Sequence, residues 1–271
     1  MDEHISEYYS QSSDQFPEGN FHSCIALHEA VDVDWGTVSK KVPILSRGWY
    51  ELSQLSPKDR VQFSLDYWLT KLPYHPHVDE HITEFFGALD DIGIFLIQKK
   101  PDDLFDVNMV YSLSGSRGFY RGNAPANEVD LIDLQKLFPN YILPEDYLAF
   151  LQIHDGFCKT TDCTGIMSSK NMNQRYQEFQ ELLEGQGTVK TRTGKIVEPQ
   201  SLVPFYESFG MPYYQCFWAE WYPKQEMGNV YYSASENTIS DPLSLPIISS
   251  EHMAFPTFLD WLFFYLEQIE T

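Results

Sequence analysis

Four groupings in this sequence have residue types and spacings that could do chemistry. In "HPHVDEH", His77 and His81 stand four apart, so on a helix they share one face as two zinc ligands would. Glu80 completes the His-x-x-Glu-His order of inverted zinc proteases. The pair sits at a helix start just after Pro76, however, and no third ligand is marked; a polar helix start is the simpler reading. Cys158 and Cys163 flank "KTTD", but a zinc site wants a second pair at similar spacing, and Cys24 and Cys216 lie alone. His154 precedes Cys158 by four and would activate it on a continuous helix; Gly156 breaks that geometry and leaves a loop thiol. Gly187 to Gly194-Lys195 imitates a phosphate loop with six intervening residues instead of four and Ile196 where Ser or Thr is needed. A solvated hairpin fits better, its Lys190, Arg192 and Lys195 forming either a local contact patch or an ordinary wet surface. The sequence marks no catalytic residue, metal site or cofactor.

The elements that would position these residues divide near residue 125. Residues 1–20 are polar and acidic and read as frayed or loosely docked. In "SPKDRVQFSLDYWLTKLP", Ser56 is the N-cap, Pro57 the first helical residue and Pro73 the stop. Val61, Leu65, Trp68, Leu69 and Leu72 form its stripe. A second helix follows over 77–89, then two strands, "IGIFLIQKK" and "VNMVYSLSG". "RGNAPANE" is polar and turn-rich, and the boundary is placed there, giving an N-terminal α+β region over 1–125 and a second domain over 126–271.

Beyond it, "EVDLIDLQKLF" reads as a short helix with Val129, Ile132 and Leu137 facing inward. In "LPEDYLAFLQIHDGF", Leu143 and Pro144 open a helix, and Tyr147, Phe150 and Leu151 face the core at i, i+3 and i+4. Gly156 closes it in the left-handed conformation. A helix over 171–184, a hairpin turning at Thr193-Gly194, strands around 213–218 and 229–233, and a last helix over 255–269 complete the pattern. Helices at both ends with strands between them argue for α+β, a mixed or antiparallel sheet flanked by helices.

From Phe205 to Tyr222 nine of eighteen residues are aromatic. On a strand, Tyr214, Cys216 and Trp218 share one face, and Tyr213, Gln215 and Phe217 the other. One helical layer does not cover both, so Tyr213, Tyr214, Trp218, Trp221 and Tyr222 are candidate anchors for a partner, unless the N-terminal region covers them. The last helix is apolar on several sides and suits burial against that region or a second copy of the chain.

The chain carries 39 acidic and 18 basic residues, a net charge of −21, spread over both halves. Such a surface repels phosphate backbones and anionic lipid heads. This argues against direct nucleic-acid or peripheral membrane binding and makes a basic protein partner easier to accommodate, although acidity alone more often serves only solubility. No signal-peptide pattern opens the sequence and no apolar run has spanning length; the expectation is a reduced, cytoplasmic protein.

Residues 126–271 resemble the SUKH superfamily of fungal cell-wall-synthesis regulators and bacterial immunity proteins. The resemblance rests on an ordered set: a short helix, "LPEDYLAFLQIHDGF" with Asp155 where the family usually has Asn, "LVPFYESF", "QCFW", "GNVYY" and the closing "FPTFLDWL". "MPYY" replaces a usual Gly-Asp pair, and the insertion at 171–184 is long. The resemblance implies a non-enzymatic, protein-binding α+β domain acting as a regulator, scaffold or immunity-type inhibitor, with no catalytic residue to carry over. The rival reading is an enzyme or small-ligand binder using a pocket between the two regions.

Overall fold

Nine helices and twelve strands are present among the described residues of the computed structural model, which are 1, 3–11, 19–115, 117–162, 164–208, 213–221, 227–240 and 253–267. The architecture is α+β, with mostly antiparallel strand pairing. Two compact units divide the chain, one from Met1–Lys71 with Pro76–Pro125 and the other from Leu72–His75 with Ala126–Gln268.

The first unit holds α1 (Glu3–Tyr8), β1 (Ser23–Ala26), α2 (Trp35–Lys41), α3 (Arg47–Ser53), α4 (Pro57–Lys71), α5 (Val78–Gly87), β2 (Leu89–Gln98), β3 (Asp106–Leu113) and β4 (Phe119–Asn123). Its strands pair antiparallel in the order β1-β2-β3-β4. The start of α4 follows from its sequence: Ser56 Oγ accepts from the Asp59 amide at 3.3 Å, and Pro57 sits where no amide hydrogen is needed. Trp68 on α4 is fully buried among Phe85, Phe86 and Tyr111, and its indole donates to the Tyr111 hydroxyl at 3.0 Å. Arg60, also on α4, is buried and holds Asp91 with two Nη2 contacts of 2.7 and 2.8 Å and one from Nε at 3.0 Å.

Two expectations for this unit change. Among the described residues of the N-terminal segment, Ile5 on α1 and Tyr9 just after it are buried in a cluster with Phe21, Phe95 and Phe119. The "RGN" just before the expected boundary is the end of β4, paired with β3, rather than a turn, and Phe119 and Tyr120 before it are buried.

The second unit holds α6 (Glu128–Leu137), α7 (Glu145–Leu151), β5 (Phe157–Lys159), β6 (Gly165–Ile166), α8 (Met172–Gln186), β7 (Lys190–Thr191), β8 (Leu202–Glu207), β9 (Tyr213–Trp218), β10 (Asn229–Ser233), β11 (Thr238–Ile239), β12 (Ala254–Phe255) and α9 (Phe258–Glu267). Its strand order is β5-β6-β8-β9-β10-β11-β7, with β12 on β10; only β11 and β7 run parallel among the described pairs.

Strand alternation sorts the aromatic tract onto two faces, and each face has its own helical cover. Tyr147 of α7 and Phe258 and Trp261 of α9 pack on Phe205 and Phe217 with ring centroids 4.9–5.9 Å apart. On the other side, Phe179 of α8 meets Tyr214 at 4.8 Å and Tyr232 at 5.4 Å, and Leu183 joins Cys216, Trp218 and Val230. The inserted helix is therefore the second layer that the tract needs.

The helix α7 ends at Leu151, a turn before Gly156, yet Gly156 has φ +102°, a conformation that favours glycine, and Phe157 turns into the core. Leu143, Pro144, Tyr147, Phe150 and Leu151 are all buried. Asp146 reaches outside its own helix. Its Oδ2 accepts from the Leu259 amide at 2.9 Å, capping α9 from 113 residues away.

Candidate functional site

The chemistry suggested by spacing does not assemble. His77 is the exposed N-cap of α5 and lies 3.8 Å from Glu80, with its ring 6.1 Å from that of His81. Among the described residues, no group of three His, Cys, Asp or Glu side chains is arranged around a metal. Cys24 and Cys216 are free thiols, and burial pushes Cys24 up to about 11 and Cys216 well above its ordinary value, away from thiolate reactivity; Cys158 is buried, and Cys163 lies outside the described residues. His154 is fully buried and stacks on Phe157 at 5.5 Å. Asp155 is a clamp: Oδ1 accepts from the Ser169 amide at 2.6 Å, and Oδ2 from the Ser169 and Ser168 hydroxyls at 2.8 and 3.0 Å. Burial raises its carboxyl above the ordinary range, and those hydrogen bonds pull it back.

The aromatic anchors resolve unequally. Trp218 is 3% exposed, a core residue of the α8 face, so it offers nothing to a partner; Lys195 lies over its ring at 5.0 Å and reaches Glu220 at 3.4 Å. Tyr213, Tyr214 and Trp221 are half-buried, with Tyr214 donating to Glu207 at 3.2 Å and Trp221 packed where a side chain on Gly228 would clash. Tyr222 lies outside the described residues. The apolar faces of α9 are covered as well: Phe258, Leu259, Trp261, Leu262, Phe263 and Leu266 are buried within the chain.

Within the second unit, a group of exposed apolar residues lies on α6 and the turn after it. Leu134 and Phe138 face inward, while Val129 (64% exposed), Ile132 (53%) and Leu137 (39%) face out, joined by Ile142 (66%). This reverses the expectation for the helix. Both stripes have helical spacing, and packing against α8 selects the one through Leu134 and Phe138.

Beside this face is a cleft of about 310 Å3, walled by Leu137, Phe138, Tyr141, Tyr176, Glu184 and Gln200. Two glutamines build it. Gln135 donates to the Phe138 and Tyr141 carbonyls at 3.3 and 2.7 Å and accepts from the Leu143 amide at 3.2 Å, fixing the turn after α6. Gln180 on α8 donates to the Pro199 and Leu202 carbonyls at 3.1 and 3.4 Å, fixing the turn that leads into β8. The Tyr141 and Tyr176 hydroxyls donate to the Gln200 carbonyl, and Phe138 meets the Tyr176 ring edge-on at 5.1 Å.

The cleft is negative. Burial raises the Tyr141 hydroxyl above its ordinary value, and the carboxylates of Glu220 and Glu198 raise it further. Tyr176 is raised by burial and by Tyr141. None of these residues stands out in the sequence; Gln135 and Gln180 look like ordinary surface glutamines until the turns they hold are known.

The family model described as SMI1 / KNR4 family (SUKH-1) matches residues 125–262, half of the 271-residue chain. No curated protein and no solved structure matches. The matched span contains α6 to β12, the first half of α9, the Asp155 clamp and the α6–α8 cleft. The chain belongs to the SMI1/KNR4 (SUKH-1) family.

Proposed function

We propose that this chain is a non-enzymatic protein-interaction module, a regulator, scaffold or immunity-type inhibitor working in a reducing compartment, whose contact surface is the outer face of α6 with the adjoining cleft. One observation carries the reading: Val129, Ile132, Leu137 and Ile142 are exposed together on a helix and turn held in place by Gln135. Exposed apolar side chains lower solubility unless a partner covers them, and family membership is compatible with regulatory and immunity roles. The net charge of −21 disfavours phosphate backbones and anionic lipid surfaces as that partner.

Affinity capture from the native cell tests this. Ile132→Asp with Leu137→Asp places two charges on the face without touching the core. The reading predicts that the variant loses the proteins retained by the unaltered chain while keeping its melting temperature. Recovery of the same proteins by the variant would refute it.

A further inference from the structure

The cleft between α6 and α8 is walled by Tyr141 and Tyr176, with Glu184 in its lining and Glu198 near Tyr141. The two helices carry six carboxylates against two cations. Both cations are already engaged, Lys136 with Asp133 at 2.8 Å and Arg175 with Glu178 at 3.1 Å. Glu184 on the wall and Glu198 near Tyr141 have no cationic partner among the described residues. Tyr141 and Tyr176 cannot swing aside freely, since each hydroxyl is tied to the Gln200 carbonyl.

We infer that this cleft receives a basic segment of the partner protein, with an arginine lodged between the Tyr141 and Tyr176 rings and its guanidinium turned toward Glu184 and Glu198. This rests on the interaction reading above and names the chemistry of the partner. Arginine satisfies both features at once: its planar cation stacks on aromatic rings, is weakly hydrated, and supplies several donors to carboxylates. A volume of about 310 Å3 lies at the lower end of the roughly 300–1,000 Å3 of small-ligand sites, so it admits a side chain or two of an extended segment. Exposed Leu137 in its wall would meet an apolar neighbour of that arginine. A second copy of this acidic chain lacks the charge complementarity.

The test uses the full-length chain and a short fluorescein-labelled peptide alternating Arg with Ser and Leu, with citrulline and Glu counterparts, read by anisotropy. The Arg peptide is expected to bind, and the citrulline and Glu peptides are not. Glu184→Gln with Glu198→Gln, both on the surface, should weaken binding roughly tenfold; Tyr176→Ala should weaken it about fivefold. Asp79→Asn with Glu80→Gln, which removes the same charge from α5, should leave affinity within about twofold. Equal weakening by the α5 pair would mean diffuse attraction to an acidic surface and would overturn the inference, as would absent binding or cleft variants that bind normally. If the peptide fails while Ile132→Asp with Leu137→Asp still abolishes partner capture, the arginine assignment falls and the interaction reading stands; if that α6 variant keeps its partners, the reading itself falls.

Discussion

The hydroxyls of Tyr141 and Tyr176, on a turn and on an inserted helix, converge on one acceptor, the Gln200 carbonyl, at 3.2 and 3.3 Å. Two rings that would otherwise be independent surface tyrosines thus become the walls of a preformed cleft. Preformed walls matter energetically, because a site ordered in advance loses little further entropy on binding.

That rigidity depends on Gln135. Gln135→Ala removes two hydrogen bonds to carbonyls and one from the Leu143 amide. At about 1 kcal/mol each, partly recovered by water, the expected loss is about 1–2 kcal/mol in urea unfolding. Amide exchange at Leu143 should accelerate in the variant. Unchanged exchange there would show that the turn holds without the glutamine.

The family motif contains an imperfection that can be removed. The Tyr147 hydroxyl is buried with no hydrogen-bond partner among the described residues, inside a shell of Phe205, Phe217 and Phe258. An unsatisfied buried hydroxyl costs about 1–3 kcal/mol. Tyr147→Phe should therefore leave stability unchanged or raise it, judged from denaturation midpoints. A clear loss would mean that the hydroxyl has a partner in solution.

Asp155 gives a pH-dependent prediction. Its folded carboxyl titrates above the ordinary 3.8 because burial opposes the charge, while the unfolded one does not. The native fold consequently bears no penalty below that ordinary value and loses stability as pH rises through the raised one. Asp155→Asn keeps an acceptor for the Ser169 amide and cannot ionise. Relative to the unaltered chain, the variant should gain stability between pH 4 and pH 7, measured by urea unfolding across that range. A difference that is flat with pH, or that runs the other way, would contradict the direction.

In the first unit, Arg60 and Asp91 form a buried pair with three contacts of 2.7–3.0 Å. Removing one partner strands the other charge away from water, which costs about 3–5 kcal/mol. Asp91→Ala should lower stability by that amount, and Arg60→Met with Asp91→Leu should recover much of it. Retained stability in Asp91→Ala would mean that water reaches the guanidinium.

How far the sequence discloses this protein varies with the range of the interaction. The helix over 145–151 is legible because Tyr147, Phe150 and Leu151 repeat at helical spacing beside a helix-starting proline, and local rules suffice. The helix over 128–137 carries two interlaced stripes, Val129 and Ile132 on one and Leu134 and Phe138 on the other. Only the neighbour decides between them. The burial of Trp218 is illegible for the same reason. It needs α8 to fold over β9, although the spacing of Met172, Phe179 and Leu183 marks an apolar face on the insertion. Arg60 and Asp91 lie 31 residues apart and look like any two surface charges.

The most direct measurement of the central claim is hydrogen–deuterium exchange on the chain, free and bound to a partner captured from its native cell. The account predicts new protection over residues 128–142 and 172–186, with strand 213–218, already sealed between two helical layers, unchanged. Protection confined to 213–221, or absent from both helices, would contradict it.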